Sequence, residues 1–159
     1  MPQASAVKTI ALGGLAIGVL DAIDAMAFWW FYAEVSPVRV WQAVAAGLLG
    51  REAAVAGGLA TSALGLFLHF VIAFVVAATY YLLTRLSGFL VRHPVVSGLI
   101  YGVIVNFVMQ YVVIPLSAAP GTAPFRLPVF LNSVIGHALF VGLPVALIAS
   151  WSAKRNSID

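Results

Sequence analysis

Two carboxylates three residues apart, Asp21 and Asp24, sit in the middle of an apolar run spanning residues 15–32. An acidic side chain at the centre of a membrane-spanning helix costs roughly 2.5–3.5 kcal/mol on insertion scales, so a pair of them asks for a chemical reason. At this spacing both lie on one helix face. No Lys or Arg within the other apolar runs offers a neutralising charge. Those runs carry His69, Asn106, Gln110, Asn132 and His137 instead.

Three chemistries suit Asp21, Asp24, His69 and His137. Carboxylate and neutral imidazole ligate divalent zinc, manganese or iron, although the spacing matches no metal motif and lacks the His-x-x-x-His density of membrane di-iron enzymes. The same groups relay protons or take up a cation, the commonest use of acidic residues in transport proteins. Two adjacent carboxylates cannot easily both ionise, which makes the pair a natural proton carrier. Finally, His69 and His137 on different helices are suited to clamp haem b, but haem needs room and the small residues of these helices argue for tight packing. No cofactor at all is the plainest expectation, with a divalent metal or haem b as the alternatives.

Catalytic motifs are missing: there is no G-x-S-x-G, P-loop, H-E-x-x-H or dinucleotide fingerprint. Ser133 and His137 share a helix face, but a triad with Asp21 is a chance resemblance. The chain lacks cysteine, which excludes disulfides, thiolate catalysis and Cys-ligated metals.

The elements that must position these residues follow from composition. With 63% apolar and 8% charged residues, against about 25% charged in soluble proteins, the chain reads as a polytopic membrane protein. The expected fold is an all-α, four-transmembrane-helix bundle forming one domain, with spans near residues 9–32, 57–84, 94–115 and 129–151 after a polar lead over residues 1–7. Residues 28–32 (FWWFY) make an aromatic belt, and Trp29, Trp30 and Trp151 read as membrane anchors. Lys8, the apolar residues 10–20 and Ala25-Met-Ala27 imitate a secretory signal, but the two aspartates and the aromatic belt beyond them oppose cleavage.

Between the first two spans, Val40, Trp41, Val44 and Leu48 recur at helical spacing. That suits either a short amphipathic helix lying in the interface or a connecting helix packed on the bundle. Arg51-Glu52 reads as an interfacial ion pair without a role. Pro115 is expected to end the third span, Pro144 to kink the fourth, and Pro120, Gly121, Pro124 and Pro128 to keep the third connection irregular. Of the eight basic residues, Lys8, Arg85, Arg92, Lys154 and Arg155 flank one side and Arg39, Arg51 and Arg126 the other, which favours cytoplasmic termini. The net charge of +3 forms no block suited to nucleic acid.

Counting from the helix ends away from the termini, Asp21, Asp24, His69, Asn106 and His137 fall within a slab about 6 Å thick near mid-membrane, with Gln110 and Asn132 nearer that end. Small residues mark the same faces. Gly14 and Gly18 lead to Asp21, and Gly98 and Gly102 lead to Asn106 and Gln110. Thr61, Gly65, His69, Ala73 and Ala77 form one stripe. Each signal also has an ordinary reading as helix packing or interhelical hydrogen bonding. The small residues lie in the half holding the termini, so a bundle closed there with a polar cavity in the other half is expected.

Residues 64–73 (LGLFLHFVIA), 112–118 (VVIPLSA) and 141–146 (VGLPVA) resemble segments of a group of small four-helix bacterial membrane proteins without an assigned activity. The resemblance covers about residues 10–150. It implies a bacterial inner-membrane location and transfers no role to any residue. Two functions remain open: binding or conduction of a proton, cation or small polar ligand at the Asp/His cluster, or service as an accessory or assembly subunit. The expected partners are the lipid bilayer and either a second copy or a larger membrane complex.

Overall fold

The computed structural model describes residues 3–118 and 124–155, with side chains from residue 6. Pro120 and Gly121 lie outside the described residues. Among the described residues seven helices follow in order: α1 (Gln3–Ala33), α2 (Pro37–Leu49), α3 (Arg51–Ala56), α4 (Gly58–Leu86), α5 (Phe89–Arg92), α6 (Pro94–Leu116) and α7 (Leu127–Arg155). Among the described residues four stretches, Ala6–Ala33, Gly58–Leu86, Pro94–Leu116 and Leu127–Arg155, are long and apolar enough to cross a membrane. Their large apolar side chains point mostly outward while Ala, Gly and Ser fill the interior, the reverse of a water-soluble core.

Helix α1 already includes Gln3, well before its apolar run, because nothing in residues 3–8 breaks a helix. It ends in a tight reversal. The Glu34 and Val35 N–H groups donate to the Trp30 and Trp29 carbonyls at 3.0 and 3.1 Å, with Glu34 in the left-handed region at φ +52°. Pro115 does not end α6, which runs on to Leu116. Both late prolines are absorbed by widened π-helical turns, Met109–Val113 before Pro115 and His137–Gly142 before Pro144. A proline offers no N–H to the carbonyl four residues back and its ring crowds it, so the preceding turn opens instead. The kink expected at Pro144 therefore takes the form of a bulge beginning at His137.

The segment between the first two long helices packs on the bundle. Helix α2 buries Val40, Trp41, Gln42, Ala45 and Ala46, and Gly65 of α4 lies directly beneath the Trp41 carbonyl, where a Cβ has no room. Gln42 Nε2 donates to the Gly58 carbonyl at 2.9 Å, and the Thr61 hydroxyl donates to the Ala54 carbonyl of α3 at 2.5 Å. Gly50 (φ +78°) and Gly58 (φ +59°) make the turns at either end of α3, a conformation that a side chain would strain. The Ala118 N–H, just past α6, donates to the Gly47 carbonyl at 2.8 Å and ties α2 across that end of the molecule.

Helix α7 lies between α1 and α6, and α4 flanks α1 on its other side. Where the termini lie, the packing is tight. Gly13 faces Ala77 and Val145, Gly98 and Gly102 press against the backbone of α7, and the Thr9 and Ser152 hydroxyls bond at 2.5 Å. Among the described residues α4 and α6 do not interlock. Two tyrosines bridge them. The Tyr101 hydroxyl donates to the Val76 carbonyl at 2.8 Å, Tyr80 bonds Ser97 at 2.9 Å, and the two rings meet edge to face at 4.9 Å. Beyond this plug, toward α2, the space between α4 and α6 is left open.

Candidate functional site

That space is a cavity of about 550 Å³ with walls from α1, α2, α4, α6 and α7. Most of its lining is apolar, from Ile17 and Ala73 to Val105 and Val141. Each long helix contributes one polar side chain to it, Asp21, His69, Gln110 and His137, and Ser117 just past α6 lines it as well. Trp29 and Trp41 line the end nearest α2, and the Trp41 ring lies 5.2 Å from the His69 ring. A concave, mainly apolar site with a few convergent polar groups is the usual form of a small-ligand pocket.

The helix geometry explains how Asp21 and Asp24 part company. Three residues of α-helix leave the two side chains about 60° apart around the axis and about 4.5 Å apart along it. Asp21 turns toward α4 and its Oδ2 lies 3.9 Å from His69 Nδ1. Asp24 turns toward α7, where its Oδ2 accepts a hydrogen bond from Asn132 Nδ2 at 3.1 Å and lies directly against Gly136. A side chain at position 136 would displace that carboxylate.

Both imidazoles have one nitrogen already committed. His69 Nε2–H donates to the Gly18 carbonyl of α1 at 3.0 Å, and His137 Nδ1–H donates to the Ser133 carbonyl one turn back at 2.9 Å. In the neutral ring this leaves His69 Nδ1 as a lone-pair acceptor facing the Asp21 carboxylate, and His137 Nε2 as another acceptor. Two acceptors facing each other at 3.9 Å are satisfied by a proton on one of them or by a positive or hydrogen-donating group between them.

The seven expected ligand residues thus divide. Asp21, His69, Gln110 and His137 reach the cavity. Asp24, Asn106 and Asn132 do not; they join helices, Asn106 being almost fully buried and accepting from the Ser133 hydroxyl. The expected metal set of Asp21, Asp24, His69 and His137 is not assembled: among the described residues no group of three or more His, Asp or Glu side chains is placed to hold a metal ion. The two aspartates point to different helices, and each histidine spends a nitrogen on a backbone carbonyl. The same commitment of His69 Nε2 to α1 works against a haem clamp.

The glycines also divide. Gly14 and Gly18 face the Phe74 and Phe70 rings of α4, whereas Gly98 and Gly102 meet the α7 backbone at Gly142, Leu143, His137 and Ala138. Gly65 serves α2 and not another long helix, so the expected stripe on α4 splits between two neighbours.

Sequence reasoning placed Trp41 on the apolar face of the connecting helix without a site role and treated Trp29 as an anchor, since aromatic residues near a helix end look alike whether they face lipid or a cavity. It also overlooked Gly136 and Gly142, which bracket the bulge at His137; two glycines six residues apart just before Pro144 were the available signal.

Removing the Asn132 amide isolates Asp24. We expect Asn132→Ala to lower stability by about 1–3 kcal/mol, the cost of leaving a part-buried charged acceptor without its donor. Chemical unfolding in mixed micelles measures this, and an unchanged midpoint would mean the bond contributes nothing.

No known protein family, curated protein or solved structure matches the chain.

Proposed function

We propose that this chain is a multi-pass protein of a bacterial inner membrane, with cytoplasmic termini, whose cavity binds a small cationic or hydrogen-donating ligand at Asp21 and His69. The observation that carries this reading is the pair of facing acceptors, Asp21 Oδ2 and His69 Nδ1, at one wall of an apolar cavity. In low-dielectric surroundings such a pair gains from a positive group far more than it would in water. The four apolar helices and the outward large side chains support the membrane placement.

Binding suits the geometry better than conduction. Toward the termini the cavity ends at Val76 and Val105, beneath which Tyr80 and Tyr101 close the gap between α4 and α6. The reading as an accessory subunit docking through its glycine faces has less support. Gly14, Gly18, Gly65, Gly98 and Gly102 are all occupied by contacts within the chain.

The test uses Trp29 and Trp41, which line the cavity and report on its contents. Detergent-purified protein is titrated with protons, sodium, potassium, ammonium and methylammonium while tryptophan emission is followed. A saturable change with at least one of these is expected. No saturable response to any of them sinks the proposal. Extraction by alkaline carbonate without detergent would separately refute the membrane placement.

A further inference from the structure

Between the end of α1, α2 and α3 lies a second hollow walled by two arginines. Arg39 from the first turn of α2 and Arg51 from the start of α3 line a pocket of about 390 Å³ together with Trp29, Val35, Gln42 and Val55. We propose that this pocket holds the phosphate of an anionic lipid headgroup between the two guanidinium groups. The proposal rests on the membrane placement above, and not on the identity of the cavity ligand.

Two cations facing one hollow repel each other unless an anion joins them. Among the described residues neither guanidinium has a carboxylate oxygen within 4.0 Å. Glu34 and Glu52, the acidic residues nearest in sequence, do not line the pocket. Arg39 makes one long contact, donating from a terminal guanidinium nitrogen to Gln42 Oε1 at 3.4 Å. Gln42 cannot close on it, because its Nε2 is tied to the Gly58 carbonyl. Both cations are arginines, whose planar forks match phosphate oxygens in pairs.

The remaining walls decide the source of the phosphate. Trp29, Val35, Val40 and Val55 are apolar or amphipathic, and they lie at the aromatic end of α1, where headgroups meet acyl chains. A free aqueous ion gains nothing from such walls. A phospholipid fills them with its glycerol and upper acyl carbons.

The full chain is purified into phosphatidylcholine micelles and exposed to vesicles of phosphatidylcholine with and without phosphatidylglycerol, or to inorganic phosphate alone. Retained lipid is counted after gel filtration and thermal stability is read on the same samples. Phosphatidylglycerol should be retained selectively, and the double variant Arg39→Gln, Arg51→Gln should weaken retention at least tenfold. Arg39→Lys with Arg51→Lys should keep part of it. Arg85→Gln with Arg92→Gln, basic positions at the other end, should change nothing. Equal retention by the Arg39/Arg51 glutamine variant, or equal loss in the Arg85/Arg92 variant, overturns the site. Stabilisation by inorganic phosphate matching that by phosphatidylglycerol overturns the lipid as occupant.

Discussion

Asp21→Asn is expected to weaken binding of a cationic ligand in the cavity by at least tenfold while leaving the fold intact. The substitution keeps the shape of the side chain and removes its charge, and a charge-assisted hydrogen bond contributes about 1.5–3 kcal/mol, where about 1.4 kcal/mol is tenfold in affinity. Losing a charge that is mostly enclosed costs the fold little, because the group no longer has to be held away from water. Asp24→Asn makes the matched control. That residue points to Asn132 and Gly136 and does not reach the cavity, and an asparagine oxygen can still accept from Asn132. The tryptophan titration should therefore respond to Asp24→Asn by less than about twofold. Equal effects from the two variants would show that the aspartates act as one unit and that the division between α4 and α7 has no functional meaning.

The second large effect concerns stability. Gly142→Val should prevent α6 and α7 from docking, and Gly142→Ala should already destabilise the protein by about 1–3 kcal/mol. A Cβ at position 142 runs into the Gly98 carbonyl and the Gly102 backbone, and neither can rotate away as a side chain would. The gain in helix propensity from glycine to alanine, about 1 kcal/mol in water, works in the opposite direction and is outweighed. Two comparisons isolate the cause. At Gly47, inside α2, a Cβ would sit 3.7 Å from the Ser117 Cβ, an ordinary contact, so Gly47→Ala should leave stability unchanged or raise it by up to about 1 kcal/mol. At Gly14 the obstacle is the Phe74 ring, which can turn aside, so Gly14→Ala should fall between the two. Unfolding by titrated SDS in mixed micelles, followed by circular dichroism, ranks all three. If Gly142→Ala proves as stable as Gly47→Ala, the backbone contact does not hold the helices together.

These two expectations mark the limits of what residue types and spacing reveal. Four long apolar stretches are visible in composition because crossing hydrocarbon demands about 20 apolar residues in a row, and few other folds produce that pattern. That Asp21, His69 and His137 face inward is visible for a related reason: polar groups avoid lipid, and each continues or shares a face with small residues suited to helix contact. The closed half and the open half were legible from the glycines of α1 and α6.

Partnership was not legible. Periodicity assigns a residue to a face but not to the neighbour opposite it, so two aspartates 60° apart on one helix looked like one site until α4 took one and α7 the other. Nor does periodicity distinguish a glycine that admits a phenylalanine ring (Gly14) from one that admits a backbone (Gly102), since both lack a side chain. The inward packing of α2, which brings Trp41 over His69, depends on Gly65 lying opposite it in another helix. The sequence by itself therefore determined the four long helices, their apolar exteriors and where along each helix the polar groups fall, because these depend on local composition and a fixed rise per residue. Only the tertiary structure decided which groups meet, because rotation and neighbour order of the helices are set by contacts between residues far apart in the chain.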